Sequence, residues 1–88
     1  MNAAEIRKLR ATAHNLNPVV MIGQSGLTTA VLAEIEGALN AHELIKIKIR
    51  AEKEDRLQIS EKICNESGAK LIQNIGQIAV VYRKNPDK

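Results

Sequence analysis

A chain of 88 residues suits one domain and leaves no room for a second core. Its hydrophobic fraction of 44% argues against a disordered chain, yet Tyr82 is its single aromatic residue, so the core must be built from Ile, Leu, Val and Ala. Thirteen Lys and Arg against ten Asp and Glu leave a formal charge of +3, a mild lean toward anionic partners in which placement matters more than the sum.

The chain opens on a predicted helix over residues 3–14. Ile6, Leu9 and Ala13 form its apolar stripe, and Arg7, Lys8 and Arg10 lie mostly off it. Pro18 disfavours helix at Asn17 and starts an extended segment, and the apolar run 19–22 reads as a strand covered on both faces. The stretch GQSG, residues 23–26, follows. Thr28 is a credible N-cap for a second helix carrying Val31, Ile35, Ala38 and Leu39 on one face and ending near residues 41–42. Gly37 inside that helix costs about 1 kcal/mol against Ala, an expense that a close approach to the sheet would explain.

Residues 44–50, LIKIKIR, alternate more cleanly than any other segment: Ile45, Ile47 and Ile49 point one way, Lys46, Lys48 and Arg50 the other. A third helix is predicted over 55–67 with Leu57, Ile59, Ile63 and Cys64 apolar, and Gly68 is a natural C′ residue. Strands 70–75 and 78–84 meet at Gly76-Gln77, a two-residue hairpin, and NPDK reads as a frayed tail beyond an ordered core of about residues 3–84. The order αβαβαββ specifies an α/β fold: a two-layer domain with a four-stranded mixed sheet and three helices. Right-handed crossovers join its parallel strands, and the hairpin adds an antiparallel one. The alternation in LIKIKIR implies that part of one sheet face is wet and positive.

Most chemistries find no support. His14 and His42 are far apart in sequence and Cys64 has no partner at a zinc-like spacing, so no metal site is expected. Ser25, Ser60 and Ser67 lie in no G-x-S-x-G context, Cys64 falls on an apolar stripe, and Glu34/Glu36 and Glu54/Asp55 read as solvated faces, so no enzyme is expected. GQSGLT lacks the P-loop lysine and the G-x-G-x-x-G spacing, which argues against a nucleotide or other small-molecule cofactor. The lone cysteine fits a reducing compartment. With no apolar signal region and no stretch of apolar residues long enough to span a bilayer, a cytoplasmic protein without a membrane partner is expected, and a monomer.

GQSG itself has two readings: a strand-to-helix turn whose glycines supply unusual φ, or a loop whose backbone N–H groups, near the positive helix end, hold a phosphate. Its G-x-x-G pattern is that of the loop with which KH domains clamp an RNA backbone. Arg7, Lys8 and Arg10 lie one strand away in sequence, and Glu34, Glu36 and Glu43 keep acid on the far half of the second helix. Lys46, Lys48 and Arg50 form a second basic row, either an RNA contact or a solvated face that guards against aggregation. A single tyrosine cannot supply the aromatic platforms of stacking modules.

The blocks AHNLNPVVMIGQSGLTTAV, EIEGALNAHELIKIKI and IGQIAVVYR extend the comparison over nearly the whole chain, from Ile6 to Arg83. With them the sequence resembles the small bacterial YhbY proteins, the single-domain form of the CRM (chloroplast RNA splicing and ribosome maturation) domain. The resemblance implies a fold similar to the C-terminal domain of translation initiation factor three, KH-like in outline. It also implies RNA binding, in bacteria to ribosomal RNA in precursors of the large ribosomal subunit; plant relatives assist group II intron splicing. The family's loop falls on Gly23, Gln24, Ser25 and Gly26, and its basic surface on Arg7, Lys8 and Arg10. The expectation is thus a non-catalytic RNA-binding protein of large-subunit assembly. The rival is a ribosome-associated interaction module that docks on a protein through its sheet face.

Overall fold

The computed structural model describes residues 1–86. In chain order it has α1 (Ala3–Ala13), β1 (Pro18–Ile22), α2 (Thr29–His42), β2 (Leu44–Ile49), α3 (Lys53–Ser67), β3 (Lys70–Ile75) and β4 (Ile78–Tyr82). Side-chain caps fix two helix starts: Asn2 Oδ1 accepts the Glu5 N–H at 2.8 Å, and Thr28 Oγ1 accepts that of Val31 at 3.1 Å. α3 begins at Lys53 rather than Asp55. Its N-cap, Glu52, is extended and makes no side-chain cap bond, while Glu54 and Asp55 suit the positive end of the helix dipole. A start without Ser, Thr, Asp or Asn leaves little trace in sequence.

The strands lie in the order β1-β2-β4-β3, with β1 and β2 parallel and β4 antiparallel to both its neighbours. β2 and β3 therefore run in the same direction, as a helical crossover requires, but β4 folds back between them. Composition explains the choice. β4 is IAVVY, with Ala79, Val80 and Val81 buried, and gains most from cover on both faces; β3 is KLIQNI, largely exposed and bulged between Leu71 and Gln73, and fits an edge. At the hairpin only Gly76 has positive φ, +54°, the position a type II′ turn assigns to glycine.

Each face of the sheet has its own core. Ile45, Ile47 and Ile49 of β2 join Val20, Ile22, Ala79 and Val81 under Ile35 and Leu39 of α2 and Ile63 of α3. On the opposite face α1 sets Ala13 against Leu44, Ile72 and Val80, with Ile6, Leu9 and Tyr82 at the margin. The three helices and four-stranded mixed sheet are those expected, but not in two layers, because α1 lies on the face opposite α2 and α3. β1, expected to be covered on both faces, is an edge strand with Val19 and Met21 exposed. Each fully buried Ile, Leu or Val contributes about 1.5–3 kcal/mol, which lets a core without Phe or Trp suffice.

A clasp at the C-terminal end of β4 ties these layers together. The Arg83 guanidinium donates from Nη1 to Glu36 Oε2 (2.7 Å) and the Ser67 carbonyl (2.9 Å), and from Nη2 to Asn40 Oδ1 (2.8 Å). It thereby joins the last turns of α2 and α3 to the sheet. Glu43, the C-cap of α2, is the only non-glycine with positive φ (64°) among the described residues. Its carbonyl accepts the Arg83 N–H at 2.9 Å and its carboxylate the Asn85 N–H at 2.7 Å, so this strained backbone is held by neighbours on both sides. Asn85 is itself buried and donates from Nδ2 to the Asn40 carbonyl. The ordered chain thus runs past residue 84, and β4 ends at Tyr82 rather than Lys84. The rest of the expected tail, Asp87 and Lys88, lies outside the described residues.

Gly37 does not approach the sheet. It is exposed on α2, has no positive φ, and a Cβ there would meet no atom within 4 Å. Gly37→Ala is therefore expected to stabilise the protein by about 0.5–1 kcal/mol in urea unfolding. Arg83→Leu leaves Glu36 and the Ser67 carbonyl without their cation and is expected to cost about 2–3 kcal/mol in the same measurement.

Candidate nucleic-acid interface

β1 ends at Ile22, paired with Ile49, and the chain enters a turn closed by the Gly26 N–H donating to the Gly23 carbonyl at 3.0 Å. Gln24 and Ser25, its central residues, keep negative φ, and Gly26 takes φ +71°. Leu27 packs on the core beyond the turn and Thr28 caps α2. The two glycines have different reasons to be there. At Gly26 any other L-residue would incur about 1–2 kcal/mol of left-handed strain. Gly23 has no positive φ, and a Cβ on it would meet nothing within 4 Å, so neither conformation nor packing demands glycine there.

The backbone N–H groups of Gln24 and Ser25 have no partner among the described residues, and neither do those of Thr29 and Ala30 in the first turn of α2. Both loop side chains are exposed. The turn therefore presents free donors beside a helix N-terminus, with open space over Gly23.

Arg50 comes to this turn through the sheet. Its N–H donates to the Ile22 carbonyl at 2.9 Å, extending the β1–β2 pairing by one residue and setting Arg50 beside Gly23 and Gln24 in an open groove. The same groove is lined by Glu52, the N-cap of α3, Asp55 and Gln58 of α3, and Gln77 of the hairpin. Sequence reading missed these four. Glu52, Asp55 and Gln58 are there because α3 starts just after β2, and Gln77 is there because β4 pairs with β2, its carbonyl accepting the Ile49 N–H at 2.7 Å.

Lys46 and Lys48 point from the face opposite Ile45, Ile47 and Ile49 and are partly buried along their stems. Lys46 shares a hollow with Arg10 and His14 of α1. Arg10 donates from Nε to the Ile72 carbonyl at 3.2 Å, at the β3 bulge, so part of its guanidinium is engaged in the fold. Arg7 shares its flank of α1, and Lys8 lies on the outward side, away from the Ile6, Leu9 and Ala13 stripe. Arg7, Lys8 and Arg10 do not line the groove of the turn; Arg10 lines the hollow that holds Lys46, Ile75 and Ile78. In the chain, the five residues of β1, about 16 Å of strand, lie between the end of α1 and the turn. Lys46 and Lys48 bridge that gap, leading from the basic flank of α1 to Arg50.

Acidic residues occupy the other layer. Glu34, Glu36, Glu43, Glu52, Glu54, Asp55, Glu61 and Glu66 all lie on α2, α3 or their caps, which leaves Glu5 as the one acid of α1. The sheet face beside α1 carries lysine and no carboxylate. Among the described residues no three of His, Cys, Asp and Glu converge as a metal site would require, and no helix is long and apolar enough to cross a membrane. Cys64 is half-buried against the core, and burial pushes its thiol pKa up, away from the reactive thiolate.

Residues 1–83 match the CRS1 / YhbY (CRM) domain. The chain is 47% identical over 81 residues to "Probable RNA-binding protein PA4753" of Pseudomonas aeruginosa, covering 91% of this chain and 78% of that one. It is 51% identical over 80 residues to an "RNA-binding protein" of Haemophilus influenzae, covering 90% and 81%. The fold superposes on the solution structure of SAV1595 from Staphylococcus aureus with a TM-score of 0.85 at 29% identity, over 97% of this chain and 90% of that one. With residues 1–83 matched, all four strands and three helices included, the chain belongs to the CRS1 / YhbY (CRM) domain family.

Proposed function

We propose that this protein binds RNA through the turn at residues 23–26 and the cation row of β2, and that its target is ribosomal RNA in large-subunit precursors. The observation that carries the reading is Gly23, a glycine with open space above it and no structural demand for it, next to the free N–H groups of Gln24 and Ser25. A phosphate approaching Gly23 meets those donors and the positive end of α2, and Arg50 neutralises it. Lys48 and Lys46 carry the same backbone away from the turn. Glu52 and Asp55, which line the same groove, repel phosphate and weaken its hold there. Relatives named as RNA-binding proteins support the choice of ligand, and the resemblance to bacterial YhbY proteins points to the large subunit.

Titration of labelled ribosomal RNA fragments, followed by fluorescence anisotropy across a range of salt, tests this. If Arg50, Lys48 and Lys46 each neutralise one phosphate of a single strand, log K falls with log salt with a slope of about −2. Gly23→Ala is expected to keep the melting temperature of the parent protein and to lose about tenfold in affinity, close to 1.4 kcal/mol. Gln24→Asp combined with Ser25→Asp brings two anions to the phosphate and is expected to weaken binding further; unchanged affinity in that variant refutes the loop as the contact. Asp55→Asn, which removes a repelling carboxylate from the groove wall, is expected to strengthen binding a few-fold at low salt and progressively less as screening grows.

A further inference from the structure

The sheet face beside α1 is more than a bed of lysines: Ile78 packs at the margin of the α1 cluster, and Ile75 and Ile78 line the hollow that Lys46 shares with Arg10 and His14. Register aligns one residue from each strand across it: Met21 pairs with Lys48, Lys48 with Ile78, and Ile78 with Ile75. Met21 is 54% exposed and Ile75 58%, and Ile78 and Lys48 between them are partly exposed. Single exposed aliphatic residues are ordinary, but these form a rung from edge to edge of the sheet, interrupted by one cation. The rung borders the groove of the turn, because Gln77, which lines that groove, immediately precedes Ile78 and its carbonyl accepts the Ile49 N–H at 2.7 Å.

We infer that this rung packs unpaired nucleobases, and that the protein takes single-stranded rather than duplex RNA. The inference rests on the RNA-binding reading above and adds the class of RNA. Charge complementarity selects the occupant: the open face bears Lys46 and Lys48 and leads to Arg50, whereas nearly every carboxylate lies on the α2 and α3 side. Residues i and i+2 of a strand are about 7 Å apart on one face, so Lys46, Lys48 and Arg50 repeat at roughly one step of an extended nucleotide backbone. A strand following them sets its bases over Met21 on one side and Ile78 and Ile75 on the other. A duplex offers phosphates outward and keeps its bases stacked inside, so it would leave the aliphatic rung in contact with water. Tyr82 is not on the rung, and its work falls to the polarizable thioether of Met21 and to isoleucine. Such contacts exclude water from a base face without reading its edge, so the preference is for unpaired bases of any identity.

Three ligands of matched length separate the alternatives: a single-stranded oligoribonucleotide, the same strand annealed to its complement, and a strand lacking its bases. The full chain is expected to bind the single strand at least about tenfold more tightly than the other two. Met21→Gln with Ile75→Gln, at sites more than half exposed, is expected to keep the parent circular dichroism and melting temperature. It should lose roughly five- to tenfold on the single strand, with an unchanged salt slope, and nothing on the other two ligands. Equal binding of all three ligands, or no effect of the double variant on the single strand, overturns the inference and leaves the loop-centred reading standing. Absence of salt-sensitive binding to any RNA overturns both. Retention on ribosomal particles that persists without RNA binding and disappears in the double variant assigns the rung to a protein partner instead.

Discussion

The parity of β2 is the constraint on which the rest depends. A strand sends successive side chains to opposite faces, so burying Ile45, Ile47 and Ile49 beneath α2 and α3 commits Leu44, Lys46 and Lys48 to the other side. A slip of one residue would drive lysine into an aliphatic core, at a cost far above that of any single contact here. The register is therefore fixed by the same residues that supply positive charge. β2 is also the strand on which both pairings turn, parallel to β1 and antiparallel to β4. The turn after β1 and the hairpin before β4 consequently meet at its C-terminal end, with Arg50 between them.

Two further features build on that arrangement. α1 lies on the second face, where Ala13 meets Leu44, Ile72 and Val80. Six of the basic residues follow one line, the flank of α1 and then Lys46, Lys48 and Arg50 toward the turn, while Lys53, Arg56 and Lys62 lie on α3. Most acidic residues cap and line α2 and α3, with Glu52 and Asp55 reaching the groove beside Arg50 and Glu5 on α1. Arg83 stabilises this division from behind, because its three hydrogen bonds hold α2 and α3 to β4 without placing a charge on the open face. Arg10 has a mixed character, since its Nε satisfies the carbonyl at the β3 bulge while its side chain lines the hollow shared with Lys46.

Much of this was legible in the chain because local signals and burial agree. Thr28 before an apolar periodicity, the period of two in LIKIKI, and Gly76-Gln77 between apolar runs each name an element through one physical cause. The failures came where the cause was not local. Glu52 caps α3 without a capping side chain, and Gly37 faces water where a close approach to the sheet was expected. Asn85, read as tail, is buried because Asn40 and Glu43 lie within reach once β4 is in place.

By itself the sequence determined the elements, the mixed sheet of α/β type, the aliphatic core and the two sides of β2, because each follows from the periodicity and conformational preference of short segments. The tertiary structure alone decided that β4 enters between β2 and β3, that α1 packs on the second face, and that Met21, Lys48, Ile78 and Ile75 share a rung. It also separated two glycines that look alike in GQSG: Gly26 is required by its backbone angle, whereas Gly23 is required by nothing in the fold. These are long-range outcomes, set by which surfaces compete for burial once the chain has collapsed.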